Sequence, residues 1–302
     1  MSLDGSDALP NSHMAHQPSR AIADPATTVP RPAVPATTVS AQPSFLLSMG
    51  TLWLREIRSF YRQRSRVIGG LVTPLVFWLL LGSGFGTSMR TSAAGGENYL
   101  QFFYPGTVAL VVLFTAIFSN ISVIEDRREG FLLSVLVAPV SRWALVLGKV
   151  MGATTIGVVQ GLLFLPLAPL MGMSVSLERI PAILAVLLVM SFGLTGLGFF
   201  FAWWLNSVQG FHSVMNVVLM PMWMLSGAVF PAEGASAWVK WVMFVNPLTY
   251  GITAFRHYLA PAGVEIAGPS ITTCWAVALG FGVVTLAAAF YQANRSSPES
   301  LS

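Results

Sequence analysis

The sequence predicts an all-α integral membrane protein: six transmembrane helices, an N-terminal amphipathic interfacial helix, a short cytoplasmic helix between the second and third spans, and an outer-leaflet re-entrant hairpin. Three observations lead there. Hydrophobic residues fill 54% of the 302 positions and charged residues only 9%, where a water-soluble domain carries about a quarter charged. Six apolar segments are long enough for a helix to cross a bilayer, which takes roughly 20 residues. Lysine and arginine also gather on one side of those segments, as the positive-inside rule requires.

Residues 1–43 stand apart. Their stretch "PATTVPRPAVPATTVSAQP" is rich in Pro, Ala and Thr and too poor in apolar surface to offset chain entropy, so a disordered tail is expected. It has no apolar core of the kind a cleavable signal peptide needs. Residues 44–66 follow as the interfacial helix. Met49, Trp53, Ile57 and Phe60 recur at helical spacing, and Arg55, Arg58 and Arg62 form a second stripe beside them. An aromatic, apolar face next to an arginine face is the pattern of a helix lying among lipid headgroups.

The domain 67–293 holds the spans, expected at 67–85, 100–124, 144–170, 180–205, 211–231 and 268–291, before a short tail, 294–302. Pro74 lies in the first span, where membrane helices tolerate it. The fourth and fifth are separated only by "NSVQG" (206–210), which implies a tight antiparallel pair. With both termini cytoplasmic, ten basic residues lie inside (Arg55, Arg58, Arg62, Arg64, Arg66, Arg127, Arg128, Arg142, Lys149 and Arg295). Four lie outside: Arg90, Arg179, Lys240 and Arg256. A pI near 9.6 placed this way points to a membrane surface and not to nucleic acid.

Residues 232–260 are apolar and aromatic but interrupted by Lys240, Asn246, Pro247, Arg256 and His257, charges that do not cross a bilayer readily. Asn246 suits an N-cap and Pro247 a first helical position, so a helix is expected to begin there. Trp238, Trp241 and Tyr250 suit the interfacial zone. The segment reads as a re-entrant hairpin in the outer leaflet.

Chemistry of the usual kinds is missing from the sequence. "GSGFG" (82–86) lacks the lysine of a phosphate-binding loop, and His13, His16, His212 and His257 form no metal site. Cys274 is the lone cysteine, within an apolar run. The span interiors are nearly uncharged, Lys149 being the main exception, which disfavours an ion-driven carrier. Gly148/Gly152, Gly157/Gly161 and the trio Gly193, Gly196 and Gly198 suit close helix packing, with a dimer interface as the alternative.

The charges concentrate in "IEDRREGFLLSVLVAPVSR" (124–142). Five consecutive ones, Glu125, Asp126, Arg127, Arg128 and Glu129, precede Gly130 and an apolar run, 131–140, too short to span. Such a helix must turn its apolar side to headgroups or to another protein. The acids would be repelled by anionic lipid, so mixed charge beside an apolar knob suits a protein socket better.

This segment resembles the first cytoplasmic loop of permeases of the type-2 family of ABC transporters. The resemblance rests on Glu125 and Glu129, the apolar helix and "APVSR" (138–142); "NPLTYGITAFR" (246–256) is similar to the segment before that family's last span. It covers residues 45–293 and is nearest the drug-resistance and lipo-oligosaccharide exporters. What it implies is a homodimer of six-span subunits driven by two separate cytoplasmic ATPase subunits, which bind ATP and Mg; this chain would be neither an enzyme nor a holder of cofactor. It assigns the ATPase-coupling role to Glu125, Asp126, Arg127, Arg128, Glu129, Gly130, Leu133, Leu136, Pro139 and Arg142, around a cytoplasmic coupling helix. It assigns the outer hairpin to Asn246, Pro247, Tyr250 and Arg256, and the interfacial helix to Trp53, Arg55, Arg58 and Arg62. Many members carry an acid inside the coupling helix and "GFLLSVLV" (130–137) has none, so a more apolar contact is expected, with Glu125 to Glu129 and Arg142 supplying polar pairing. The expected function is export of an amphipathic, drug-like or lipid-like cargo across a bacterial inner membrane. Alternatives are export of a polysaccharide or lipid-linked oligosaccharide, and a non-transport assembly factor or scaffold.

Overall fold

The computed structural model of the protein describes residues 44–85, 98–138, 140–173, 175–261, 264 and 266–295. The expected tail at 1–43, Arg90, Pro139 and most of the C-terminal tail lie outside the described residues. Every regular element among the described residues is helical. In chain order the α-helices are α1 (Phe45–Arg62), α2 (Arg64–Phe85), α3 (Tyr99–Arg128), α4 (Phe131–Val137), α5 (Arg142–Phe164), α6 (Ile180–Trp204), α7 (Val208–Trp223), α8 (Ala237–Val245), α9 (Pro247–Leu259) and α10 (Ile271–Arg295).

Among the described residues, five segments are long and apolar enough to cross a membrane: Arg64–Phe85, Tyr99–Arg128, Arg142–Met171, Leu177–Trp204 and Ile271–Arg295. They correspond to five of the six expected spans. α3 is the central one, packed against α2, α5, α6 and α7 and buried along nearly its whole length from Phe102 to Ile124. Its polar residues survive that burial by bonding locally or across helices: Thr115 Oγ1 donates to the Val111 carbonyl at 2.7 Å, and Asn120 Nδ2 to Ala116 at 2.7 Å and Thr195 at 3.2 Å. α2 and α10 lie at the periphery and turn apolar side chains such as Val72, Leu80, Val283 and Val284 outward.

The expected fifth span differs from the structure. α7 has 16 residues and gives way to a wide turn at Met224–Ala228, with Leu225 and Gly227 out of helical geometry. Gly227 takes φ +75°, a conformation that only glycine adopts at low cost. Side chains cap the carbonyls that this break releases, as a buried helix end requires. Asn246 donates to Met222 and Leu225, Arg256 to Gly227, and Tyr99 to Val229.

The charge-rich segments also differ from expectation. The helix that contains the expected second span continues past residue 124 to Arg128, so four of the five consecutive charges form its last turn. The apolar run 131–140 yields a helix of only 7 residues, because the chain is already extended at Ala138 (ψ 154°). The expected helix at 44–66 is interrupted at Gln63, whose φ −95°, ψ 81° ends α1 one residue before α2.

α1's buried stripe is Ser48, Leu52, Glu56 and Phe60, rotated by about one residue from the expected Met49, Trp53 and Ile57. The cause is α5, against which α1 packs. A Cβ at Gly148 would stand 2.8 Å from Leu52 Cβ, and one at Gly152 would stand 2.7 Å from Glu56 Cβ. Only glycine lets the two helices approach this closely. The other glycines singled out above face α3, α6 or α10 within the same chain, so close packing inside the subunit accounts for the pattern.

Candidate functional site

Several helices meet around the last turn of α3. Lys149, on α5, is 2% exposed, and its Nζ lies 2.9 Å from Glu56 Oε2 on α1 and 2.6 Å from Asp126 Oδ2 on α3. Ser122 donates to Glu56 and lies 3.2 Å from Lys149 Nζ. Arg55 closes the group with a two-pronged contact to Asp126, at 2.8 and 2.5 Å. Two acids and two bases thus form a neutral quartet across three helices. Such charges survive burial because each is paired and hydrogen-bonded. Removing one partner alone costs about 3–5 kcal/mol, since it leaves an uncompensated charge. The hydrogen bonds from Arg55 to Asp126 push its guanidinium above the ordinary range.

Arg55 was expected on the exposed arginine stripe; it turns inward instead, with Phe131 of α4 stacked 3.7 Å from its guanidinium carbon. Arg58 and Arg62 are exposed. Trp53 is half-buried and donates to Thr155 of α5 at 3.1 Å.

The remaining charges of the cluster also bind within the chain. Glu125 pairs with Arg66 at the start of α2. Arg127 reaches the end of α6, donating to the Trp203 carbonyl at 2.5 Å and to Asn206 Oδ1 at 2.8 Å, with the Leu205 carbonyl at 3.3 Å. Arg128 donates to the Asn206 carbonyl at 3.0 Å, and Arg142 to the carbonyls of Ala293 and Asn294 at the end of α10. A cation at a helix C-terminus meets both the unpaired carbonyls and the negative end of the helix dipole. The last turn of α3 and the first turns of α5 are therefore tied to the middle of α1, the start of α2 and the C-terminal ends of α6 and α10.

Gly130 makes the turn from α3 into α4 at φ +73°. Leu132 is fully buried beneath α4, Leu133 is half-buried, and Glu129, Ser134 and Val137 face outward, Val137 at 75% exposure. The side chain of Leu136 and all of Pro139 lie outside the described residues. Between α4 and α1 runs an apolar groove of about 330 Å³, lined by Leu47, Thr51, Leu52, Phe131, Val135 and Val140.

At the opposite end, Asn246 caps α9, its Oδ1 accepting from Leu248 N at 3.0 Å with Pro247 at the first helical position, as the sequence predicts. Arg256 packs over Phe102, 4.2 Å from the ring centre. Tyr250 is buried, and its hydroxyl donates to the Phe244 carbonyl at 2.7 Å, clasping α8 to α9. Trp238 and Trp241 are exposed. Among the described residues no cluster of His, Cys, Asp or Glu could hold a metal ion.

Sequence reasoning missed Glu56, Ser122 and Arg66. Glu56 left a signal: it occupies the third place of the stripe 48, 52, 56, 60, a carboxylate on an otherwise inward-facing helix side, and Lys149 is the matching cation.

A profile of the ABC-2 type transporter family matches residues 48–259. The chain belongs to that family. This ABC-2 permease is 25% identical over 214 residues to a putative transport permease, ycf38, of Cyanophora paradoxa, covering 70% of this chain and 74% of that one. It is 25% identical over 206 residues to the inner membrane transport permease YhhJ of Escherichia coli (66% and 54% of the two chains), and 24% over 237 residues to nodulation protein J of Neorhizobium galegae (77% and 87%). The probable multidrug ABC transporter permease YbhR of Escherichia coli is 23% identical over 176 residues, 58% of this chain and 48% of that one. The family match spans the quartet, α4 and the α8–α9 hairpin of this ABC-2 permease.

Proposed function

We propose that this ABC-2 permease is the membrane subunit of an ATP-driven exporter of amphipathic, drug-like or lipid-like molecules, and that a separate cytoplasmic ATPase grips it at α4. The ATPase would hold ATP and Mg. On this reading α7 and its terminal turn form the remaining crossing, giving six spans with both termini in the cytoplasm of a bacterial cell. α8 and α9 then lie in the outer leaflet, and a second copy completes the path. The observation that carries the reading is α4 itself. It is too short to span, presents Ser134 and Val137 outward, and borders an apolar groove, while most charges around it are bound internally. A greasy knob on a charged, internally braced plate is a shape that another protein can push without being pulled into the lipid. The multidrug description of one relative supports an amphipathic cargo.

Affinity purification in mild detergent tests this. A stoichiometric ATPase is expected to accompany the chain, with a hydrolysis rate that responds to added amphiphiles. Leu133→Arg or Val137→Glu should lower that recovery or response at least ~10-fold, equivalent to losing one apolar anchor from an interface, without reducing membrane insertion. Purification of a folded chain with no ATPase would favour a scaffold and sink the exporter reading.

A further inference from the structure

At the end of α3 remote from the quartet, a cavity of about 210 Å³ lies between the first turns of α3, the loop after α5 and the end of α9. Its walls are mixed. Gln101 and Arg256 contribute a carboxamide and a guanidinium, and Phe102, Met173, Leu259 and Ile266 contribute apolar surface. The groove beside α4, by contrast, is lined by no charged side chain.

Hydrogen bonds brace these walls. Gln101 Nε2 donates to the Met171 carbonyl at 2.5 Å, while its Oε1 accepts from Asn98 N at 3.2 Å. Gly172 then turns the loop at φ +76°, which glycine adopts at low cost. Arg256 Nη2 donates to the carbonyls of Phe102 at 3.2 Å and Gly227 at 2.8 Å, which holds the guanidinium over the Phe102 ring. Arg179 donates to the Ala260 carbonyl at the end of α9. Polar groups already fixed in this way lose little conformational entropy when a ligand enters.

Size limits what the cavity can hold. Pockets that bury a whole drug-sized molecule measure about 300–1,000 Å³, so this one takes one end of a molecule. Its chemistry says which end. Guanidinium and carboxamide N–H groups are donors that match the oxygens of a phosphate or carboxylate, and the apolar walls match the first carbons of a chain.

We propose that this cavity binds the acidic, oxygen-bearing head of an amphiphile, with the first carbons of its chain against Met173, Leu259 and Ile266. The purpose rests on the exporter reading above: with α4 in the cytoplasm this end of α3 faces outward, and the cavity holds cargo on its way to release. It narrows the amphipathic cargo to molecules with an acidic head.

Thiol labelling of the purified permease, without ATPase or nucleotide, tests it. In a Cys274→Ala background, Met173→Cys places a thiol in the cavity wall, and Glu233→Cys places one at an exposed control position. Dodecyl phosphate at about four times its Kd should slow maleimide labelling of Met173→Cys ~5-fold by mass action and leave Glu233→Cys unchanged. Dodecyltrimethylammonium, which has the chain without the acid, and inorganic phosphate, which has the acid without the chain, should each leave both rates unchanged. Ile266→Trp fills the cavity and should abolish the protection; an unaltered labelling rate at Glu233→Cys shows that this variant is folded. Dioleoyl phosphatidic acid carries the same head on two chains, so protection by it as well makes bilayer lipid a source of the head, and protection by dodecyl phosphate alone assigns the site to single-chain cargo. No slowing by dodecyl phosphate, equal slowing by the trimethylammonium amphiphile or by inorganic phosphate, or protection that survives Ile266→Trp overturns the proposal. Each of these leaves the α4 reading untouched, which stands or falls on recovery of an ATPase.

Discussion

Arg127 shows how a single side chain can do two jobs at the end of a helix. It sits in a run of charges, yet its guanidinium points away from solvent and gathers carbonyls at the end of α6 together with Asn206. Hydrogen bonds from a charged donor contribute about 1.5–3 kcal/mol each when their loss strands a partner. Because the site is half-exposed, water replaces part of that. Arg127→Ala should therefore cost about 2 kcal/mol, read as a lower melting temperature of the purified protein. Arg127→Lys should recover only part of it, because one ammonium cannot reproduce a planar fork. Equal melting of all three proteins would mean that water caps α6 as well as the arginine does.

Among the elements, α1 is the one whose surroundings decide its behaviour. Viewed alone it is an aromatic and arginine-rich helix suited to headgroups; in the structure its seating is set by Gly148 and Gly152. Gly152→Leu should lift α1 from α5. Arg55 would then become accessible to trypsin alongside Arg58 and Arg62, and limited proteolysis should cut this helix several-fold faster than in the parent. Unchanged cleavage would show that α1 tolerates the bulk and that the notch is not what holds it. This element also shows what the sequence makes legible. Five of the six span positions, the N-cap at Asn246 and the short helix after Gly130 follow from local rules of hydropathy, capping and turn chemistry. The register of α1, the inward turn of Arg55 and Asp126, and the burial of Tyr250 depend on partners 6 to 93 residues away. A local pattern cannot name such partners. The break at Met224–Ala228 was hidden for the same reason: its carbonyl caps come from α3 and the hairpin.

For the whole molecule, the charge pattern and the helix order must give the same orientation. The regular part of α7 is about 24 Å long at 1.5 Å per residue, and its terminal turn must supply the rest of a crossing of about 30 Å. If it does, Glu129 and Glu233 lie on opposite sides of the membrane. In intact spheroplasts a membrane-impermeant maleimide should label Glu233→Cys, and should label Glu129→Cys only after permeabilisation. Labelling of both from the same side would remove α7 from the crossings and leave an odd number of spans.

The neutral quartet has a consequence for how the chain is made. A lysine two turns into α5 is costly in a bilayer until it meets an acid. Both acids belong to earlier parts of the chain, Glu56 on α1 and Asp126 on α3. Synthesis from the N-terminus therefore has the counter-ions ready before Lys149 reaches the membrane. Order of birth matches order of need: a chain begun after α1 would deliver its lysine with half its partners missing.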